Sequence, residues 1–342
     1  MQWYRVSVSA LTAMFVAVAL DAGDASEDFA GKTITIAVGS AEGGSYDAYA
    51  RLTARHLGKH IPGNPSVVPK NMPGAAGTRV ANYVYSVAPK DGTYLGATLN
   101  SVPLTQIMQP AKAKYESAKF NWIGALNSPA NVLATWHAAN IRTIEDAKKR
   151  EVLIGATTAG TTMEMYPLLA NRFLGTKFKV VLGYRAGKGV NLAMERGEVE
   201  GRGSNSWLSY KMQDASWVEQ NKLNVLFQMT LKRDDDLKDV PTLIELAAND
   251  EDRQAIAVLA KTETIGRSVM APPGVPKDTV ATLRKAFETM LRDKEMLADA
   301  SKAMLEIKPI QGLELQEMVE SIFRTPQPIM EKFLAAVRTG KK

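Results

Sequence analysis

The sequence predicts an α/β protein with two domains, and three observations support this prediction. Short runs rich in β-branched residues alternate with helical stretches along the chain, a pattern typical of α/β architectures with mainly parallel sheets. The 342 residues exceed what one hydrophobic core usually serves. The composition, with 45% hydrophobic and 23% charged residues, is that of an ordinary globular protein.

The individual elements follow from these runs in chain order. Strands are predicted at 33–38, 65–70, 93–99, 120–126, 132–136, 151–156, 178–184, 224–230 and 264–272. Helices are predicted at 46–61, 78–88, 143–150, 163–175, 190–197, 277–297 and 313–337.

The N-terminal residues differ from the rest of the chain. Val6 to Leu20 is a run without charge, ended by Asp21, and it is shorter than the roughly 20 apolar residues of a membrane span. Such a run is typical of a secretory signal peptide, and the small residues Gly23 and Ala25 suit a cleavage site near Ala25. We therefore predict residues 1–25 as a signal peptide and an exported mature chain. The alternative is an uncleaved N-terminal anchor.

Charge and cysteine usage exclude several classes of function. The chain has no cysteine, so disulfides and thiolate chemistry are excluded. The net charge of +6 could attract anionic ligands. The basic residues form no run of five and do not alternate with aromatic residues, so we predict no nucleic-acid partner.

A glycine pair follows the first predicted strand, in the segment Val38–Leu52. Gly43 and Gly44 can adopt positive φ and let the backbone approach a bound group, and Ser45 could cap the helix that follows. The start of a helix offers free N–H groups and the positive end of the helix dipole, which suit an anion such as a carboxylate. The alternative is a connector that binds nothing.

A second loop resembles the first. Thr157, Thr158, Ala159, Gly160, Thr161 and Thr162 connect a strand to a helix, and Thr161 and Glu164 have the spacing of a capping box. Two such loops could lie on either side of a cleft and each bind one end of a diacid. The alternative for the threonines is ordinary helix capping.

The motifs of common enzymes are missing from the sequence. Residues 183–189 resemble a P-loop, but the glycine spacing is wrong. His56 and His60 have a metal-binding spacing, yet Arg55 and Lys59 flank them and favour a solvated helix face. Glu42 with Asp47 could form an acid–base pair, which leaves a periplasmic hydrolase or isomerase as an alternative function. We predict no catalysis, no cofactor and no metal.

Residues 67–101 resemble the substrate-binding proteins of tripartite tricarboxylate transporters, the Bug family. The family pattern N-x-P-G-A-x-G is present from Asn71 to Gly77, and A-x-x-D-G-x-x-L from Ala88 to Leu95. The first loop matches the family's G-G-x-x-D, and residues 270–287 match its A-P-x-G-x-P segment. The resemblance covers nearly the whole predicted mature chain.

The resemblance implies a type II periplasmic binding protein, in which two α/β domains enclose a ligand cleft and move about a hinge. It implies domain 1 at 28–128 and 265–342, and domain 2 at 129–264. The implied function is capture of a small carboxylate in the periplasm by a monomer that docks on the transporter's membrane components; a sensor or another permease is the alternative partner. The candidate ligand-binding residues are Ser40, Ala41, Glu42, Gly43, Gly44, Ser45, Asp47, Asn100, Ser101, Thr158, Ala159, Gly160, Thr161, Thr162, Tyr184, Ser204 and Asn205.

Glu42 departs from the family pattern, which seldom has an acid before Gly-Gly. If its carboxylate faced the cleft, it would repel an anionic ligand by on the order of 4 kcal/mol at ~4 Å and an effective dielectric near 20. We therefore predict a ligand that is a monoacid, or one that carries an amine or hydroxyl for Glu42. The alternative is that Glu42 faces solvent.

Overall fold

The computed structural model describes residues 29–338, so the predicted signal peptide lies outside the described residues. Within this range, no helix combines the length and apolar character that a membrane span requires.

The described chain alternates strands and helices, as predicted. The strands are β1 Thr33–Val38, β2 Ser66–Asn71, β3 Tyr94–Ala97, β4 Asn121–Ala125, β5 Asn131–Trp136, β6 Val152–Gly155, β7 Phe178–Val181, β8 Gly201–Ser206, β9 Leu223–Gln228, β10 Ser268–Ala271 and β11 Ile310–Gln311. The α-helices are α1 Ser45–Leu57, α2 Thr78–Ser86, α3 Val102–Met108, α4 Ile144–Lys149, α5 Thr162–Leu174, α6 Ala186–Glu195, α7 Trp207–Gln213, α8 Ala215–Glu219, α9 Leu243–Leu246, α10 Asp250–Thr264, α11 Lys277–Met290, α12 Lys294–Lys302, α13 Gly312–Phe323 and α14 Gln327–Val337.

Two sheets organise these elements, and five strands of the first sheet have the same order as the five strands of the second, with β11 added at one edge of the first. The first sheet runs β11-β4-β10-β3-β1-β2, and the second runs β7-β6-β8-β5-β9. In the first sheet β1 lies between β2 and β3 and runs parallel to both, and β10 pairs antiparallel with β3. In the second sheet β6 lies in the same way between β7 and β8, and β5 pairs antiparallel with β8. β10 and β5 are the strands that enter each sheet after the chain has crossed from the other, and the short β11 also runs antiparallel to its neighbour β4.

The prediction of mainly parallel sheets was wrong, because it did not anticipate these crossings. β10 pairs antiparallel with β3 and β4, and β5 pairs antiparallel with β8 and β9. A strand that arrives from the other sheet needs no crossover helix, so nothing forces it to run parallel to its neighbours.

The sheets position the candidate site through their parallel strands. β1 and β3 pair in parallel and end at one edge of the first sheet, while β6 and β8 pair in parallel and end at one edge of the second. Ile34 and Ile36 of β1 and Ile154 of β6 are fully buried. These buried strands hold the loops at their carboxyl ends, where ligands bind in open α/β sheets.

Candidate functional site

The first loop connects β1 to α1 and has a defined backbone conformation. Gly43 has φ +79°, where a Cβ would be strained, whereas Gly44 has φ −82° and only ordinary contacts around a Cβ. Gly44 is the N-cap residue and brings no capping side chain. The expectation that Ser45 caps α1 was wrong, because Ser45 is already the first helical residue. The free N–H groups of the first helical turn therefore remain available to a ligand.

Asp47 fastens this loop from within the first turn of α1. Its carboxylate, 3% exposed, accepts hydrogen bonds from Gly43 N (2.9 Å), Arg51 Nε (2.9 Å) and Asn71 Nδ2 (2.8 Å). Burial alone would raise the pKa of Asp47, but these hydrogen bonds lower it below its ordinary value. Asp47 is therefore a structural carboxylate that holds the loop, which argues against an acid–base pair with the exposed Glu42.

The second loop connects β6 to α5 and repeats this geometry. Gly160 also has φ +79°, and its N–H donates to Glu164 Oε2 at 2.6 Å. Thr161 is the N-cap residue, with the extended conformation that Gly44 shows in the first loop. Each loop thus places a glycine of left-handed conformation before an extended N-cap residue. In each loop a buried acid four residues after the glycine accepts a hydrogen bond from the glycine N–H group.

The predicted capping box between Thr161 and Glu164 does not form. The Thr161 hydroxyl donates to the carbonyl of Thr158 at 2.8 Å and caps no N–H group. Glu164 reaches Gly160 rather than the N-cap residue. The reason is the turn at Gly160, which directs the N–H group of Gly160, one residue before the N-cap, towards the Glu164 carboxylate. The start of α5 consequently also lacks a side-chain cap.

Several of the other predicted residues have identifiable contacts around these loops. The carbonyl of Ser40 accepts from Asn71 Nδ2 at 3.1 Å. Thr162 Oγ1 donates to Ser204 Oγ at 3.4 Å, which connects α5 to β8. Ser101 Oγ donates to the carbonyl of Ala76 at 3.3 Å.

The remaining predicted residues are less constrained. Ala41 and Glu42, like Thr158 and Ala159, lie exposed on the two loops, and Glu42 accepts no hydrogen bond from the described residues. Asn205 pairs with Val132 inside the second sheet. Among the described residues, Tyr184 forms no hydrogen bond with any other predicted ligand-binding residue. Their binding roles remain predictions.

A buried glutamate that the sequence analysis missed connects the two sheets. Glu263, near the end of α10, is 6% exposed. It accepts hydrogen bonds from Asn100 Nδ2, after β3 of the first sheet, at 3.3 Å and from Asn131, in β5 of the second. Burial raises the pKa of Glu263, and its polar neighbours offset only part of that effect. The hydrogen bonds of Glu263 therefore depend on how the two sheets are arranged relative to each other.

Tyrosines complete this cluster. The Tyr46 hydroxyl in α1 donates to Asn100 Oδ1 at 2.9 Å. Tyr166 of α5 is fully buried beside Glu263, and burial raises its pKa well above the ordinary value. No pattern in the sequence singles out Asn131, Tyr166 or Glu263, because single polar residues in helices and strands carry no spacing signal.

Arg267 was also missed, and it lies beside the start of α1. Its guanidinium stacks on the ring of Tyr46, 4.5 Å from the centroid, and Nη2 donates to Ser45 Oγ at 3.3 Å. Among the described residues it forms no ion pair, and its buried Nε has no hydrogen-bond partner. A cation next to the N-terminus of α1 adds to the positive potential of the first loop.

The histidine pair has a structural role that differs from the solvated face we predicted. His56 is 7% exposed, and its Nε2 lies 2.9 Å from Asp299; His60 Nε2 lies 2.9 Å from Asp293. The ammonium of Lys59 contacts Asp293 and Glu295 at 2.5 and 2.7 Å. His56, Asp293 and Glu295 have their ligand atoms close enough for a metal ion, but the ammonium of Lys59 already bridges the two carboxylates. The cluster joins α1 to α12.

The two sheets and the two matched loops are consistent with the fold of type II periplasmic binding proteins. Comparison with solved structures supports this. A TctC solute-binding protein from Polaromonas, solved without ligand, matches with a TM-score of 0.69 at 18% identity over 88% of this chain and 99% of its own. MatC from Rhodopseudomonas palustris with bound malate matches with a TM-score of 0.58 at 20% identity over 91% of this chain and 100% of its own.

Sequence comparison agrees with this class. No family model matches the chain. A curated relative from Agrobacterium vitis, the UPF0065 protein in the TAR-I ttuE-ttuC' intergenic region, is 26% identical over 97% of this chain and 91% of its own length. Together these findings confirm the resemblance to tripartite tricarboxylate transporter binding proteins and the predicted fold class.

Proposed function

We propose that the protein is an exported solute-binding protein that captures a small organic acid for a tripartite tricarboxylate-type secondary transporter. The observation that carries this proposal is the matched pair of loops at the starts of α1 and α5. Each loop leaves helix N–H groups without a side-chain cap, at the end of the helix that favours negative charge. The malate in MatC, a structural neighbour, is a ligand of the same chemical class.

Binding would couple to domain closure. The proposed domains, residues 28–128 with 265–342 and residues 129–264, each contribute one loop and one side of the Glu263 cluster. A ligand that contacts both loops favours the arrangement in which they approach one another, which is a hinge motion. The closed monomer would then dock on the membrane components.

We propose no chemical step on the bound acid. Asp47 and Glu164 are the buried acids nearest the loop glycines, and both are held by backbone N–H groups. Hydrogen bonds keep the pKa of Asp47 below its ordinary value, so it is a poor proton acceptor at neutral pH. The proposed location is the periplasm, after removal of residues 1–25.

A thermal-shift screen tests the proposal, with malate, succinate, citrate, hexanoate and benzoate as probes. We expect at least one acid to raise the melting temperature in a concentration-dependent manner, because a ligand that binds only the folded state stabilises it. A neutral sugar, such as glucose, should have no effect. If no acid shifts the transition, the proposal is wrong, whether or not glucose does.

Two glycine variants locate the binding site. Gly44→Ala should leave the melting temperature of the free protein nearly unchanged, because its φ is ordinary and a Cβ has room. It should nevertheless remove most of the acid-induced shift, because the Cβ stands where the ligand approaches. Gly197→Ala is the matched control: its φ of +73° predicts lower stability with an intact acid-induced shift. An intact shift in Gly44→Ala would make the first loop a simple connector.

A further inference from the structure

We infer that the ligand is an amphipathic monocarboxylate, whose carboxylate binds Arg267 and whose apolar tail enters a side cavity next to the first loop. This inference rests on the proposed function and names its substrate class. It is carried by the position of Arg267, by the lining of the cavity and by two exposed methionines at the cavity.

Arg267 has the contacts expected of a carboxylate anchor. Tyr46 fixes the plane of the guanidinium by stacking, and Ser45 holds one of its nitrogens. Within residues 29–338 no carboxylate lies within ion-pair distance of this half-buried guanidinium, although its charge offsets part of the rise that burial causes in the pKa of the nearby Glu263. The planar fork of an arginine suits a carboxylate bound through two hydrogen bonds. A carboxylate there would also meet the N-terminus of α1, and domain closure would bring the start of α5 to the same carboxylate.

The side cavity begins at these same residues. It has a volume of about 140 Å³ and lies between α1, α7 and the turn after α12, with Ser45 and Arg267 in its wall. Whole-ligand pockets usually measure roughly 300–1,000 Å³, so this cavity suits one part of a ligand rather than all of it. Because the wall includes residues from both sides of the cleft, closure would enclose the bound part.

The lining of the cavity is mostly apolar and indicates an apolar guest. Leu208, Met212 and Met304 contribute to it, and Met212 and Met304 are 40% and 67% exposed. Exposed methionines adapt to apolar ligands of irregular shape. An apolar tail would remove their side chains from water, which is favourable.

The charges at the cavity favour one carboxylate over two. Arg267 is the one charged residue among the described residues that line it. A second carboxylate in the cavity would lose its hydration without a cation to compensate, which is unfavourable. A monoacid is one of the two ligand types predicted for the case in which Glu42 faces the cleft.

Calorimetry with hexanoate, hexanamide and succinate tests the inference. Ser209→Leu fills the cavity, because Ser209 lines it, and the N–H of residue 209 can still cap α7 through Ser206. Ser216→Leu, exposed on α8, is the matched control. We expect Ser209→Leu to weaken hexanoate binding at least tenfold and Ser216→Leu to change it less than twofold.

Arg267 variants test the anchor. The parent protein should prefer hexanoate over hexanamide by at least tenfold, and Arg267→Gln should reduce that preference to below threefold. Arg267→Lys keeps the charge but loses the planar guanidinium. Its preference for hexanoate over hexanamide should lie between those of the parent and of Arg267→Gln. If Arg267→Gln fails to fold, the Ser209→Leu comparison still decides the question.

The outcomes separate the inference from the proposed function. Binding of succinate without binding of hexanoate leaves the proposed function intact and overturns the inference. Hexanoate binding that is unaffected by Ser209→Leu also overturns it. If neither acid binds and no acid passes the thermal screen, both fail.

Discussion

At the scale of single residues, Glu263 is a carboxyl group held almost entirely away from water. Its carboxyl group is buried between Asn100 and Asn131, with Tyr166 beside it and Arg267 four residues further along the chain, after the end of α10. Burial penalises the charged form and raises the pKa above the ordinary value of 4.5. The folded state therefore holds a proton that the unfolded chain releases more readily.

This difference gives a pH dependence of known sign. Above pH 4.5 the folded protein binds more protons at Glu263 than the unfolded chain does, so the free energy of unfolding that Glu263 contributes falls as the pH rises. Glu263→Gln removes the titration and keeps the shape. We predict that the stability of Glu263→Gln relative to the parent rises from pH 5 to pH 8 in urea unfolding experiments.

The exposed variant Glu219→Gln provides the control for this prediction. Its stability relative to the parent should change little over the same pH range. A constant difference between Glu263→Gln and the parent would mean that residue 263 titrates alike in the folded and unfolded chains.

The sequence allowed some of the site residues to be predicted and not others. Gly43 and Gly160 could be predicted because a glycine between a strand and a helix often provides a positive φ, and both residues have φ +79°. Glu263 and Arg267 act through side chains brought together from distant segments. Only the crossing of the chain between the sheets places Glu263 between Asn100 and Asn131, and no local pattern encodes that crossing.

At the scale of elements, β8 shows why a strand can escape detection. Its sequence from Gly201 to Ser206 has no hydrophobic residue, yet it lies between β6 and β5 in the second sheet. The glycines are required by close contacts. A Cβ at Gly201 would lie 2.7 Å from the carbonyl oxygen of Ala134, and one at Gly203 would lie 1.8 Å from that of Met163. The strand thus allows α5 to approach the sheet.

Gly203→Ala should therefore be strongly destabilising. The added methyl group would force α5 away from the sheet, and overpacking of this kind typically costs about 1–3 kcal/mol. Gly189→Ala in α6 is the control, because its φ is ordinary and a Cβ has room; alanine should be neutral or stabilising there. Urea unfolding of both variants checks the prediction, and equal stabilities would contradict the close packing.

The C-terminal helices illustrate a limit on predicted boundaries. The predicted helix 277–297 is two helices: α11 ends at Met290, and Asp293 caps the start of α12 by accepting from Glu295 N at 2.8 Å. The predicted helix 313–337 also divides, at Pro326. α10 was missed altogether because its buried residues include polar ones, among them Asp252, Thr262 and Glu263, which blur the hydrophobic period.

At the scale of the whole molecule, two sheets that share an order of five strands present two loops with one geometry. The fold class could be predicted because the alternation of strands and helices and the motifs around Gly43 and Asn71 are properties of the sequence. The shared order was not predictable, since β5 and β10 enter their sheets antiparallel. The central claim is that a small organic acid binds both loops at once.

Hydrogen exchange of the backbone amides tests this claim most directly. The protein would be labelled with and without the acid that raises its melting temperature most, and peptides over 40–50 and 157–167 would be compared. We predict that both peptides become protected together, with the same dependence on acid concentration, because N–H groups of both loops bind the ligand. Protection of one loop alone, or of neither while the acid still stabilises the protein, would contradict the two-loop site.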